Sequence, residues 1–175
     1  MRIDDEGIRS YPRDDPAWAA RAAAFSAKCK DISEILCDLP ALAPRHPLPM
    51  RVAYHDACHL RHAQAIFEQP RHLLSTIPGL EVVEVEEGNL CCGSAGVYNL
   101  LNPEPANQLG DRKVEKLLAA DAEAVISANP GCLLQLMSGL RRRGLQAMPT
   151  FHMVELLDAS IRNTSFEELK KERMP

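Results

Sequence analysis

The sequence lacks several features that would place it in a familiar broad class. It has no apolar run of about 18 or more residues, the length typical of a membrane-spanning helix. Residues 1–13 are too polar and acidic for a secretion signal. The net charge is −4, so there is no excess of basic side chains to bind nucleic acid. These absences, with only 5% aromatic residues and no long Gly/Ser tract, are consistent with a compact cytoplasmic domain.

Cysteine, by contrast, is plentiful, with six residues in a chain of 175. Without a secretion signal, we expect a reducing compartment, where clustered thiols indicate metal binding or catalysis more often than disulfides. Cys91 and Cys92 are adjacent and are followed by Gly93. Adjacent cysteines are poor partners for a mutual disulfide, because bridging requires side chains that face each other across a gap. The two cysteines are better explained as thiolate ligands of one metal centre.

Predicted strands alternate with predicted helices along most of the chain. Apolar or alternating stretches predict strands at 51–55, 81–86, 122–127 and 146–151, and helices follow at 63–77, 102–120, from 129 and at 152–161. This order predicts an α/β fold: a mostly parallel sheet of about four strands with helices on both faces, layered as in Rossmann-like domains. The predicted organisation is a leader at 1–13, a cysteine-rich domain at 14–162, and a short C-terminal helix or tail at 163–175.

Two further helices are predicted at the ends of the chain. An N-terminal helix should start at Asp15-Pro16, an acidic cap followed by proline. The capping-box pattern from Ser165 to Glu168 predicts the C-terminal helix. Apolar residues at helical spacing should form one face of the N-terminal helix, and we expect two cysteines, on or near that face, to serve core packing. The face comprises Ala22, Phe25, Cys29, Ile32 and Leu36, and the second cysteine is Cys37.

Four cysteines follow predicted strands and should meet at one edge of the sheet. Cys58 follows the first strand, Cys91 and Cys92 the second, and Cys132 lies in the first turn of the helix after the third. Sites in such folds gather beyond the carboxyl ends of the strands. Thiolates suit both iron–sulfur clusters and zinc, and four cysteines are the usual ligands of a [4Fe–4S] cluster.

Several neighbouring residues are candidates for supporting roles. Gly93 and Gly96 should let backbone amides approach a sulfur or cluster, and the turn at Gly93 is expected to need positive φ. His59 is a candidate for a hydrogen-bond donor to a cluster sulfur or for a fifth ligand, and His152 for a hydrogen-bonding or proton-handling role. His55, inside the first predicted strand, is expected to pack or to hydrogen-bond there. The dense group of His55, Cys58, His59 and His62 is also open to interpretation as a zinc site with mixed ligands.

Three sequence blocks carry a family resemblance: Tyr-His-Asp-Ala-Cys-His-Leu (54–60), Leu-Cys-Cys-Gly-Ser-Ala-Gly-Val-Tyr-Asn (90–99) and Asn-Pro-Gly-Cys-Leu-Leu-Gln (129–135). They resemble the cysteine-rich CCG domain found in heterodisulfide reductase and in glycolate oxidase (glycolate dehydrogenase) iron–sulfur subunits. Two departures stand out. The ferredoxin pattern Cys-x2-Cys-x2-Cys-x3-Cys is missing, and Gln135 occupies the last cysteine position of the family's Cys-x-x-Cys.

The resemblance implies an electron-transfer subunit, itself not catalytic, in a complex that oxidises glycolate or another 2-hydroxy acid. A flavoprotein partner would supply electrons, and a further iron–sulfur subunit or half would carry the missing ferredoxin domain. Electrons would leave towards the quinone pool, through peripheral contact of the complex with the inner face of the membrane. Two alternatives stay open: a zinc-binding structural module of the same complex, and a thiol–disulfide enzyme with Cys132 as nucleophile.

Overall fold

The structure, a computed structural model, describes residues 16–173. Its four strands are β1 (Met50–His55), β2 (Leu80–Val83), β3 (Ala124–Ser127) and β4 (Thr150–His152). Its α-helices are α1 (Pro16–Ser26), α2 (Ile32–Asp38), α3 (Glu68–Ser75), α4 (Tyr98–Leu101), α5 (Pro103–Ala119), α6 (Pro130–Arg142), α7 (Met153–Arg162) and α8 (Phe166–Arg173). A short π-helix, His59–Ala63, follows β1. Both the predicted leader and Asp15 lie outside the described residues.

The four strands form one parallel sheet in the order β2-β1-β3-β4. Val52 of β1 lies between Val82 of β2 and Ala124 of β3, and Ile126 pairs with Phe151 of β4. The predicted α/β fold with a parallel sheet flanked by helices is confirmed. Because every strand runs the same way, the segments that leave their carboxyl ends emerge at one edge of the sheet.

The two central strands lie deepest in the core. All four residues of β3 are buried, as are five of the six in β1. Near-continuous burial is typical of parallel strands that helices cover on both faces. Helix α5 packs against α6, and α3 packs against α7, so two helix pairs enclose the sheet. The loops that follow the strands therefore start from well-packed, buried strand ends.

The N-terminal segment differs from the prediction, because it forms two helices instead of one. Asp31 has extended backbone angles and its carboxylate accepts a hydrogen bond from the Ser33 amide, while Glu34 reaches back to the Asp31 amide. This capping box starts α2 afresh and stops α1 from continuing through it. As a result, Phe25 is 60% exposed and the predicted single apolar face does not exist.

The segment after β1 also differs from the predicted helix at 63–77. The π-helix comes first, and Ala65, at φ +54°, separates it from α3. The Ile66 amide donates to the Leu60 carbonyl across this break. A π-helix is rare and occurs frequently at functional sites, and this one begins directly after Cys58.

The C-terminal helix α8 is confirmed together with its cap. The Ser165 amide donates to the Glu168 carboxylate at 2.9 Å, and the Glu168 amide donates to Ser165 Oγ at 3.3 Å. Within residues 16–173, no helix combines the length and apolar character that crossing a bilayer requires. The limits of the cysteine-rich domain at 14 and 162 stay a prediction.

Candidate metal centre

Three segments that leave the sheet edge bring the predicted cysteines together. Cys58 follows β1, Cys91 and Cys92 lie in the loop between β2 and α4, and Cys132 lies in the first turn of α6 after β3. Asn129 caps α6 by accepting a hydrogen bond from the Cys132 amide at 2.9 Å. The cap fixes the helix start and hence the direction in which the Cys132 sulfur projects.

Cys58 and Cys91 form a half-buried pair, with their Sγ atoms 3.7 Å apart. A hydrogen bond from the Cys58 thiol, with one from the Gly93 amide, lowers the pKa of Cys91. Accordingly, the hydrogen bond to Cys91, with burial, raises the pKa of Cys58. These hydrogen bonds favour the thiolate on Cys91, and the thiolate is the form that binds soft metals.

Cys92, Cys132 and His55 form a buried trio whose donor atoms all lie within 4.8 Å of one another. Hydrogen bonds from Cys92 and from the His55 ring outweigh burial and lower the pKa of Cys132 to about 5. The hydrogen bond to Cys132 raises the pKa of Cys92. The trio thus supplies a second thiolate, at Cys132, together with an imidazole.

The spacing of the donors decides how many metal ions they can hold. Thiolates bound at about 2.3 Å to one tetrahedral ion lie about 3.8 Å apart, which the 3.7 Å between Cys58 and Cys91 matches. Among the described residues, however, only His55, Cys92 and Cys132 form a group of three or more donors within 4.8 Å. The four sulfurs therefore do not all lie within 4.8 Å of one another, as the ligands of a single tetrahedral ion would. They form two close groups, Cys58 with Cys91 and Cys92 with Cys132, and two neighbouring groups of soft donors suit a centre with more than one metal atom.

The turn that presents the cysteine pair depends on Gly93. Its φ is +86°, as the sequence predicts, and Gly96 follows with φ +65°. The Gly93 amide donates to Cys91 Sγ at 3.3 Å. A Cβ atom at Gly93 would lie 2.3 Å from the carbonyl oxygen of Ala106 in α5. Only glycine lets the loop approach α5 so closely while aiming an amide at the sulfur.

Gln135 occupies the position where the family pattern has a cysteine, and its amide is already committed. Its Nε2 donates to the Ala106 carbonyl at 3.2 Å, and its Oε1 accepts from Asn99 Nδ2 at 3.1 Å. The side chain is 6% exposed. Gln135 thus ties α6 to α5 and α4, and its oxygen and nitrogen are held by protein groups.

We expect Gln135→Leu to lower the free energy of unfolding by about 1–3 kcal/mol, because a buried carbonyl loses a donor. Metal content should stay at the wild-type level. Gln108→Leu, the same chemical change at an exposed position of α5, is the matched control and should have a far smaller effect. Chemical denaturation and metal analysis of both variants measure these outcomes. Metal loss in Gln135→Leu alone would contradict the assignment of a structural tie.

The other candidate residues lie near the cysteines in different ways. His59 is exposed. Its backbone amide hydrogen-bonds to the Cys58 sulfur, which acts to lower the pKa of Cys58. His152 is half-buried, and its Nδ1 accepts a hydrogen bond from the Val154 amide as the cap of α7. Cys37 packs against the core as expected. Cys29 lies in the link between α1 and α2, where its thiol donates to the Phe25 carbonyl at 3.5 Å.

Sequence reasoning missed the place of His55 in the site. His55 ends β1 and is fully buried, as the predicted strand implies, but its ring meets the trio cysteines instead of ordinary packing partners. Its position three residues before Cys58 was the available signal. Lys113 was also missed. It is fully buried in α5, and its Nζ donates to the carbonyls of Glu87 and Gly88 in the loop before Cys91.

Asp56, next to His55, holds the start of the Cys58 segment in an ionic network. Burial would raise its pKa, but hydrogen bonds and charges from Arg71 and Arg61 outweigh burial and keep the pKa below its ordinary value. The shortest oxygen–nitrogen distance to each arginine is 2.7 Å, and the Asp56 side chain is 3% exposed. The two arginines connect the loop after β1 with the π-helix and α3.

We expect Asp56→Asn to lower the free energy of unfolding by about 1–3 kcal/mol at neutral pH, because both arginines lose a charged acceptor. The folded pKa lies below the unfolded one, so this contribution is present above the unfolded pKa and fades as pH falls through the folded pKa. The gap between wild type and variant should therefore close in acid. Asp111→Asn removes a surface pair with Arg142 and should cost at most about 1 kcal/mol. Denaturation curves at several pH values test both, and a gap that widens in acid would contradict the prediction.

Comparison with known proteins agrees with this geometry. Residues 52–137 match the family described as CCG, a cysteine-rich domain. The matched segment contains Cys58, Cys91, Cys92 and Cys132, and this part of the chain is therefore a cysteine-rich CCG domain. The chain is 41% identical over 148 residues to a probable glycolate oxidase iron-sulfur subunit of Bacillus subtilis (strain 168).

The chain is also similar to two proteins with other names. The chain is 41% identical over 128 residues to a subunit of the fumarate reductase (CoM/CoB) of Methanothermobacter marburgensis, and 30% identical over 159 residues to lactate utilization protein A of an Exiguobacterium species. These matches cover 83%, 73% and 89% of this chain, but 33%, 26% and 64% of the three relatives. The chain therefore spans only part of the length of each relative.

Proposed function

We propose that this chain is the cysteine-rich part of an iron–sulfur subunit that passes electrons within a complex oxidising glycolate or another 2-hydroxy acid. The main support is the placement of Cys58, Cys91, Cys92 and Cys132 at one sheet edge, spread more widely than one ion requires. The similarity to an iron-sulfur subunit over 83% of this chain points to the same chemistry.

The residues fit an iron–sulfur cluster in both donor type and surroundings. The four cysteines would hold it as thiolates, with a [4Fe–4S] cluster as the proposed type. Such a cluster accepts and releases single electrons. The Gly93 amide, 3.3 Å from Cys91 Sγ, would stabilise negative charge on sulfur. Lys113 holds the preceding loop by two carbonyl hydrogen bonds, which keeps the cysteine pair in place.

Exposed apolar side chains lie close in sequence to the cysteines and to the Asn99–Gln135 hydrogen bond. The Asn99–Gln135 hydrogen bond joins α4 to α6, and large apolar side chains are exposed around this junction. They are Val97 (63%), Leu100 (76%), Leu101 (75%) and Leu134 (67%). Exposed apolar side chains grouped in this way are typical of interaction sites. We propose that the iron–sulfur half carrying the ferredoxin clusters docks here, and that the flavoprotein subunit supplies its electrons. Contact with the membrane quinone pool would then belong to the whole complex.

One observation favours a second candidate. His55, Cys92 and Cys132 converge closely enough to bind a single zinc ion with mixed nitrogen and sulfur ligands. Zinc has no redox chemistry, so the domain would then be a structural module of the same complex. Cys58 and Cys91 would then not be ligands of that zinc ion, and this candidate gives no role to their pairing.

Metal analysis after anaerobic purification separates the two candidates. The proposal predicts iron with acid-labile sulfide, and a visible absorbance that bleaches on reduction with dithionite and returns on oxidation. Stoichiometric zinc without colour would reject it in favour of the structural module. A metal-free protein with one highly reactive thiol would reject both and support a thiol–disulfide enzyme.

A further inference from the structure

His55 is the most unusual buried residue in the described part of the chain. It is fully buried at the end of β1, and apart from the Cys132 sulfur, towards which its ring acts as a hydrogen-bond donor, neither ring nitrogen has a partner. Leaving a buried polar atom unpaired costs about 1–3 kcal/mol per group. Its register partner on β3, Ser127, is also fully buried with an unpaired Oγ. Two such groups side by side indicate that this spot is built for a polar or ionic group.

The imidazole is directed at the cysteines and not at the protein around it. One ring nitrogen lies within 4.8 Å of the sulfurs of both Cys92 and Cys132. Imidazole and thiolate are compatible ligands for iron and for zinc. The histidine is also held rigidly, because it belongs to a central strand and not to a loop.

Gln135 does not compete with His55 for this position. Its amide is bonded to Asn99 and Ala106, so it could not bind a metal without breaking both bonds. His55 offers a nitrogen to Cys92 and Cys132 from the end of β1.

We propose that His55 is a direct ligand of the metal centre and takes one of its ligand positions beside Cys92 and Cys132. The inference rests on the proposed function for the identity of the centre as an iron–sulfur cluster. A neutral imidazole at this position gives the site one negative charge fewer than a thiolate would. Replacing thiolate by histidine raises the reduction potential of a cluster. His55→Cys should therefore shift the midpoint potential to more negative values.

Spectroscopy of the wild-type protein tests whether His55 is a ligand, and the result does not depend on whether a variant folds. The full chain is prepared anaerobically with 14N- or 15N-labelled histidine, and the paramagnetic state of the cluster is studied by pulsed electron paramagnetic resonance. A strongly coupled nitrogen that changes with the label is the expected result. A weak coupling only, typical of a hydrogen bond to sulfur, would overturn ligation while leaving the electron-transfer function intact.

Variants assign the nitrogen to one residue. His55→Gln should abolish the strong coupling and lower metal occupancy, whereas His62→Gln, at an exposed histidine in the same segment, should change neither. Persistence of the coupling in His55→Gln would overturn the assignment. If the protein contains zinc, X-ray absorption decides: a nitrogen shell at about 2.0–2.1 Å beside sulfur at about 2.3 Å supports His55, and sulfur alone overturns it. A chain that binds neither metal overturns this inference together with the proposed function.

Discussion

Cys92→Ser is expected to release the metal centre almost completely. Cys92 is 1% exposed and lies between the two halves of the site, because its sulfur is next to both Cys91 and Cys132. A serine hydroxyl is a harder donor and keeps its proton near neutral pH, so it cannot replace a thiolate. Loss of groups that only support a ligand already weakens metal binding about 10–100-fold. Loss of the ligand itself should exceed that range.

The same variant should unfold at a lower temperature, because metal binding contributes to folding stability when the unfolded chain cannot bind equally well. Metal content per chain and thermal unfolding measure both effects. Wild-type protein stripped by a chelator should unfold near the variant's temperature, which separates metal loss from damage to packing. Cys37→Ser is the matched control. That cysteine packs against the core, and its thiol donates to the Gln69 carbonyl at 3.7 Å.

Cys37→Ser should keep its metal and lose only a modest part of its stability. Equal metal content in Cys92→Ser and Cys37→Ser would show that Cys92 is no ligand. Metal loss in both would place Cys37 in the site, which its position in α2 gives no reason to expect.

The fold and the meeting of the cysteines could be predicted because both follow from local patterns. Apolar segments alternating with capped helices define a parallel sheet, and a parallel sheet directs its carboxyl ends to one edge. Cys58, Cys91 and Cys132 each follow a different strand, so their meeting needs no information beyond strand order. The positive φ of Gly93 could be anticipated from the adjacent cysteines in a tight turn.

Other features depend on contacts between distant segments, which one sequence does not reveal. Apolar spacing from Ala22 to Leu36 suggested one helix, but the capping box at Asp31 competes successfully with helix continuation. His55 looked like a strand residue among others, and only the placement of β1 beside β3 shows its ring close to Cys132. Lys113 occurs in an amphipathic helix, where a lysine normally faces solvent.

Gly93→Ala is the second change with a large expected effect. A residue with a side chain is strained at φ +86°, at a cost of roughly 1–3 kcal/mol. The new Cβ would also lie 2.3 Å from the Ala106 carbonyl oxygen, which belongs to the backbone of α5. Overpacking against such a rigid neighbour adds about 1–3 kcal/mol. The loop must move away from α5, and the Gly93 amide then leaves Cys91 Sγ, so bound metal should fall as well.

Gly96→Ala separates the two causes, because Gly96 also has a positive φ, +65°, but no atom lies within 4 Å of its added Cβ. That variant should show the backbone strain alone and keep its metal. Chemical denaturation gives the difference between the two variants, which we expect to be about 1–3 kcal/mol for the clash. If both alanine variants lose the same stability and retain the same metal, close contact with α5 plays no part in shaping the site. A difference in metal content as well as stability would show that the distance between this loop and α5 controls where the Cys91 and Cys92 sulfurs lie.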